Sequence, residues 1–386
     1  MNFTQNESQR ELAALTRTIL GGLTPERLAG ADAGGDRFDP ALWASLAGAG
    51  VLAAGLPESV GGAGLGLLEQ CSVLTELGRA VAPVPYLASI VLGAGALAAF
   101  GTPDQRRRWA APAGRGELIL TAALPEEDGD DPRVPSARAE RVTGDGEPGG
   151  GWLLSGVKTA GPAAPLAALL LVPAAAAGGV IVFLVTPGDD GVTVERQLVT
   201  GGDGTGRVTL AGVRLRDDRV LGGPAAGRDA VEWLVARGTV GLCALQLGVV
   251  ERALELTSAY ARDRVQFGRP IGSFQAVTQR LADAYIDVEA VRLTMWQAAW
   301  RLAAGLPGGA EVATAKFWAA DAGHRVAHTA VHVHGGVGVH MDYPVHRYFT
   351  AATRAEFALG GATSQLRRIG AALARDAPEG VPQGMP

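Results

Sequence analysis

The chain carries only two cysteines, Cys71 and Cys243, far apart in sequence. That scarcity excludes a disulfide framework and a cysteine metal site, and it fits a reducing compartment. Net charge is also low, at -5 over 386 residues, and the one basic run, Arg106-Arg107-Arg108, is short, so nucleic acid has little electrostatic hold. Arginine almost entirely replaces lysine beside abundant Ala and Gly, which reads as compositional bias. The N-terminus, MNFTQNESQRELAALTRTIL, lacks a basic start followed by an apolar core and a small-residue cleavage site, so a cytoplasmic protein is expected. The most apolar stretch, Ala163 to Leu184, is broken by Pro165, Pro173, Gly178 and Gly179. Buried strands explain it better than a membrane-spanning helix.

What is present is globular. Hydrophobic residues make up 47% and charged residues 19%, a balance that excludes a disordered chain. The length suits two or three structural units, and a small molecule is the default ligand. From Ser8 to about Gly116 apolar residues recur at helical spacing, with stops at Gly34-Gly35, Leu56-Pro57, Gly61 to Gly66 and Pro83 to Pro85. Near Glu117 the texture changes to short runs such as ELILTAAL, GWLLSGV, GGVIVFLVTP, GVTVERQ and GRVTLAGVRL, which read as strands. Helical texture returns at about Asp229. Val277, Leu281, Ala284, Val288, Val291, Met295, Ala298 and Leu302 step by fours and threes and make one stripe along a long helix suited to a bundle. The expected fold is α+β: an N-terminal helical domain (1–116), a middle β-barrel-like domain (117–224) and a C-terminal four-helix bundle (225–386). The proline- and glycine-rich tail APEGVPQGMP is expected to fray.

Three segments carry a resemblance. LWASLAGAGVLAAGLPESVGGAGLG, ELTSAYARDRVQFGRPIGSFQAVTQRLAD and HVHGGVGVHMDYPVHRYF are similar, in order and spacing, to signature stretches of the acyl-CoA dehydrogenase family. The second resembles Tyr-x3-Arg-x2-Phe-Gly-x-Pro-Ile-x3-Phe-Gln, and the third resembles Gly-Gly-x-Gly followed by Tyr-Pro-x-x-Arg. The resemblance implies an FAD-dependent oxidoreductase in which an active-site carboxylate takes the α-proton of an acyl-CoA thioester while hydride leaves the β-carbon for the flavin. It implies oligomerisation as well, because the glycine segment serves FAD held mainly by a neighbouring subunit.

The residues themselves admit a dinucleotide. Arg264 stands where a helix gives way to Phe267, Gly268 and Pro270, and a guanidinium at such a turn can bind a pyrophosphate through two parallel hydrogen bonds, the plainer alternative being a solvated arginine. Gln275 can meet adenosine or flavin edges, or simply start a helix. Gly335, Gly336 and Gly338 let backbone approach a phosphate or ribose, or form a tight turn. His324, His328 and His332 share one helix face at i, i+4 and i+8, with His334 beyond. A straight helix spreads the first and third by ~12 Å, and no further ligand is evident. A structural or adenine-proximal role is therefore expected rather than a metal. The resemblance adds His332, Thr363 and Gln365 to the cofactor-binding set.

The chain departs from the family where the chemistry belongs. In place of Ala-Leu-Thr-Glu-Pro-x-x-Gly-Ser-Asp it has AALPEEDGDD (122–131), and the extra acids are expected to repel an anionic flavin. In place of Gly-x-Lys-x-Trp-Ile-Thr-Asn it has GVKTAGPA (156–163), with Ala160 and Pro162 at the Trp and Thr positions. The catalytic Glu aligns with Gly361 or Leu359 in FALGGATSQLRR, and the alternative position used by some members aligns near Gly238. None is an acid. Glu356 is the nearest carboxylate and reads as an ordinary helix-surface charge. Losing a general base typically costs ~10²–10⁴ in rate. The chain thus resembles the base-lacking subunit of actinobacterial α2β2 members, which helps bind FAD while a homologous partner acts on an acyl-CoA or carrier-bound thioester. A homo-oligomeric enzyme with a non-standard base and a flavin-free structural partner are the other readings.

Overall fold

The computed structural model describes residues 3–127, 129, 131–142 and 150–376; the tail from Ala377, Asp128 and Asp130 lie outside them. Short helices fill the N-terminal part, and their starts are written in local chemistry. Asn6 and Gln9 form a reciprocal capping box at Glu7–Leu20, while Thr24 and Asp39 cap helices that open with Pro25 and Pro40. Two stretches, Leu87–Ala94 and Arg106–Ala110, are wound as π-helix, a variation that hydrophobic spacing does not announce.

Seven strands follow: β1 (Leu120–Ala122), β2 (Arg138–Val142), β3 (Gly151–Pro162), β4 (Leu169–Ala176), β5 (Gly179–Val185), β6 (Val192–Gln197) and β7 (Thr205–Arg216). They form one sheet in the order β1-β4-β2-β3-β7-β6, with β5 also on β4. The apolar stretch from Ala163 to Leu184 becomes β4 and most of β5, an antiparallel pair buried over most of its length. β2, Arg-Ala-Glu-Arg-Val, was not legible, because a strand that buries one residue in five shows no alternation. The sheet has its own core around Leu154, Leu170, Phe183, Val208 and Val213.

The C-terminal part consists of three long helices, Gly227–Asp263, Gln275–Ala303 and Gly309–His334, then Val345–Phe357 and Ala362–Asp376; they are called the first to fifth bundle helices below. The second helix buries the predicted stripe from Ala284 to Ala298, but Val277 and Leu281 are only half-buried in its first turns. The N-terminal helices and the bundle share one core, which joins Leu46, Leu74, Ile90 and Leu97 to Leu234, Leu247, Val291 and Met295. Glycine makes this possible. A Cβ on Gly248 would stand 1.9 Å from the Thr75 carbonyl oxygen, and one on Gly78 would stand 2.1 Å from that of Leu245, so helix Leu67–Arg79 and the first bundle helix meet backbone to backbone. The stretch Pro224–Asp263 is long and apolar enough to cross a membrane, yet most of it is buried in this core.

Candidate functional site

The first bundle helix ends beneath a small knuckle. Val265–Gln266 pairs with Arg269–Pro270, and the two residues between them, Phe267 (φ 51°) and Gly268 (φ 77°), are both left-handed, as a tight hairpin of primed type requires. The amide of Ile271 donates to the Arg264 carbonyl at 2.8 Å and closes the turn. Phe267 is 93% exposed, edge-on to Phe274 at 6.2 Å, and the Arg269 guanidinium lies 4.3 Å over the Phe274 ring. Arg264 and Gln275 are both exposed. The knuckle presents a guanidinium, an amide and a bare aromatic ring to the outside, which suits a ligand shared with a second subunit.

The glycine turn lies against the same helix end. His334 closes the third bundle helix, is 4% exposed, and stacks on Tyr260 at 4.3 Å, one turn before Arg264. Its Nδ1–H donates to the Ala330 carbonyl at 2.8 Å, which leaves Nε2 buried without a partner; burial pushes the imidazole below its ordinary value. Gly338 is closely packed, since a Cβ there would stand 3.0 Å from the His334 Cβ and 3.2 Å from the Val331 Cα. Gly335 and Gly336 are exposed and open. Exposed His332 lines a groove of about 730 Å³ with His324, His328, Arg280 and Arg325. His324 pairs with Glu356 at 3.1 Å and leans on His328 at 4.2 Å. Among the described residues no cluster could hold a metal ion.

Thr363 and Gln365 sit elsewhere. Gln365 is buried, and its Nε2 donates to the Leu359 and Gly360 carbonyls at 3.1 and 3.0 Å, while Thr363 is exposed. The turn they follow is fastened to Lys316, whose Nζ donates at 2.9 Å to both Ala355 and Glu356 carbonyls and so caps the fourth bundle helix. Lys316 lies roughly 27 Å along the third helix from His334. One chain therefore offers its two groups of candidate residues at opposite ends of that helix.

The positions of the missing base converge. Leu359, at φ 55°, places its Cδ1 only 3.1 Å from where a Cβ on Gly238 would stand, with Leu92 at 3.4 Å. Two positions that sequence alignment left as alternatives are thus neighbours in space, and leucine occupies the room between them. Gly361 is less confined, its nearest neighbour being the Glu356 carbonyl at 3.6 Å.

The two altered β-domain segments are also joined. Lys158 Nζ meets Glu126 at 2.5 Å, their side chains 0% and 4% exposed. Glu126 also accepts from the Ser136 and Ala137 amides. Burial alone would raise the Glu126 carboxyl, but these bonds outweigh it and hold it below its ordinary value. The expected repulsion of a flavin by added acids is corrected for the three that are described: Glu126 is bonded to Lys158, Glu127 lies 3.3 Å from Arg207, and Asp131 is paired with Arg133 at 3.0 Å, while Asp128 and Asp130 lie outside the described residues. Arg133 also reaches Glu232 on the first bundle helix at 2.7 Å, a bridge between the β-domain loop and the bundle. The scarcity of lysine proves to be a usable signal. The chain's only two lysines, Lys158 and Lys316, are both fully buried and bonded.

Family models described as "Acyl-CoA dehydrogenase, N-terminal domain" and "Acyl-CoA dehydrogenase, C-terminal domain" match residues 6–117 and 225–374. The chain belongs to the acyl-CoA dehydrogenase family. Acyl-CoA dehydrogenase FadE27 of Mycobacterium tuberculosis is 49% identical over 383 residues, 97% of this chain and 99% of that protein. A chain of the ChsE4-ChsE5 complex from Mycobacterium tuberculosis superposes with a TM-score of 0.91 at 50% identity, covering 98% of this chain and 100% of that one. A chain of the Tcur3481-Tcur3483 steroid ACAD superposes at 0.88 with 41% identity, covering 96% and 98%. Members of the family are FAD-dependent oxidoreductases acting on CH–CH bonds.

Proposed function

We propose that this chain is the base-lacking subunit of a hetero-oligomeric acyl-CoA dehydrogenase, and that it helps bind FAD while a homologous partner supplies the catalytic glutamate. One observation carries the reading: Leu359 fills the space over Gly238, so two of the three positions for a general base hold hydrocarbon, and the third, Gly361, has no side chain. The likeness to a chain of a two-component complex supports it.

Fit to FAD divides along the molecule. On the nucleotide side the residues suit it, since Arg264, Phe267, Gln275 and the Gly335–Gly338 turn lie together and outward, and buried His334 Nε2 still lacks a donor. Arg264 would hold the pyrophosphate, and Gly335 and Gly336 would admit close backbone approach. On the ring side they do not, because Ala160 and Pro162 offer no hydroxyl or indole, and Arg133 bridges to Glu232. When bound, FAD supplies the hydride acceptor. The substrate would be an acyl-CoA or carrier-bound thioester, and the steroid-acting neighbour makes a polycyclic acyl group the first to try. A cytoplasmic site suits the two free, buried thiols.

The test is purification alone and with a homologue carrying the glutamate, followed by a flavin absorbance scan. Flavin should be weak or absent alone and firm in the complex, where Arg264→Ala lowers occupancy. Full occupancy and acyl-CoA turnover by the isolated chain would refute the reading. Assembly without flavin in either preparation would favour the flavin-free structural partner, which the Arg133–Glu232 bridge supports.

A further inference from the structure

The second bundle helix has two apolar faces. One is the stripe from Ala284 to Ala298, buried in the core. About half a turn round from it, Ile286, Leu293 and Trp300 recur at every seventh residue and are 63%, 46% and 37% exposed. Seven residues make almost two helical turns, so these three side chains stand in one line. Single exposed apolar residues are ordinary, but a line of three on a helix already packed from behind marks a second packing surface. Between them the line carries Glu289, half-buried, and Gln297, exposed. One edge is bounded by Arg292, whose guanidinium is held by Glu251 at 2.6 Å and by Glu289 at 3.1 Å.

The spacing says what covers this face. The line is symmetric about Leu293, with Ile286 one step before it and Trp300 one step after. Two such helices set antiparallel about a twofold axis at Leu293 therefore meet in matched layers: Leu293 against its own copy, Ile286 against Trp300 at both ends, and Glu289 against Gln297 in between. That register sets an amide, which donates, opposite the carboxylate. A parallel twofold pair would instead set Glu289 against Glu289, and like charges in contact across an interface are costly. We propose that the outward face of the second bundle helix is a homotypic interface, on which a second copy of this chain packs antiparallel about Leu293. The interface needs only this chain. Where the chain also pairs with a glutamate-bearing homologue, the same contact joins two such pairs through their base-lacking subunits.

Single cysteines and a short bismaleimide cross-linker test the register, since the native Cys71 and Cys243 are 0% exposed and out of reach. Leu293→Cys should join to its own copy. Ile286→Cys and Trp300→Cys each lie ~10 Å along the helix from the axis, so neither should join to itself, while a mixture of the two variants should cross-link. Leu293→Glu should keep the thermal unfolding transition, because the position is half exposed. It should weaken self-association in sedimentation by at least about a hundredfold, because it sets two carboxylates against each other in a desolvated seam; Leu293→Met should associate like wild type. A wild-type chain that does not self-associate, either alone or together with the homologue, would overturn the proposal. So would self-joining at Ile286→Cys or Trp300→Cys equal to that at Leu293→Cys, or unchanged association of folded Leu293→Glu. Leu293→Cys joined to the homologue and not to its own copy would overturn it too, while leaving the subunit reading intact, since that reading is tested by flavin occupancy and turnover.

Discussion

Removing one member of the Lys158–Glu126 pair strands the other where little water reaches it. In Lys158→Met the Glu126 carboxylate keeps two backbone amides but loses its cation; in Glu126→Gln an ammonium on a side chain 0% exposed loses its only carboxylate partner among the described residues. Breaking a buried ion pair from one side costs ~3–5 kcal/mol, whereas replacing both members with groups of similar volume is often neutral. Each single variant should therefore lower the apparent Tm in calorimetry by several degrees, and Lys158→Met with Glu126→Leu should recover most of the loss, a strongly non-additive cycle. The effect has a pH window. Because the folded-state value of Glu126 is held below the ordinary 4.5, the pair's contribution is complete above that value and is lost as pH falls through the lower folded value. The gap between wild type and Glu126→Gln should close there. Additive single losses, or losses under ~1 kcal/mol, would refute the assignment of this pair as a buried fastening between the two altered segments.

Lys316→Met should destabilise by ~1–3 kcal/mol for each carbonyl left without a donor, read as a loss in denaturant midpoint. Burial holds Lys316 down to about 8, below its ordinary 10.5, so the unfolded chain binds that proton more tightly and wild-type stability should rise between those values; the variant should lose this rise. Gly238→Glu forces a side chain against Leu359 and Leu92 and should cost ~1–3 kcal/mol, visible as a lower Tm. Gly361→Glu has more room, yet deuterium uptake from heavy water into a saturated acyl-CoA should stay at background in the isolated chain, because the flavin-facing groups have gone with the base. Exchange in wild type would instead establish a base elsewhere.

Periodicity and punctuation in the chain determine much of the architecture locally. The stripe from Ala284 to Ala298, the Pro25 and Pro40 helix starts and the apolar β4–β5 pair follow from side-chain spacing and turn chemistry, which act over a few residues. A turn at Phe267-Gly268 was legible for the same reason, but that both residues are left-handed, Phe267 included, came only from the structure. Local pattern cannot report which distant groups meet. Gly238 and Leu359 are far apart in sequence, and only folding shows that the leucine at one base position closes another. Glu126 and Glu127, which look repulsive in AALPEEDGDD, become paired once Lys158 and Arg207 arrive from other strands. Burial is likewise a property of the assembled core, so only the structure shows both lysines enclosed and bonded, and the line of Ile286, Leu293 and Trp300 left outside on a helix whose other face is packed.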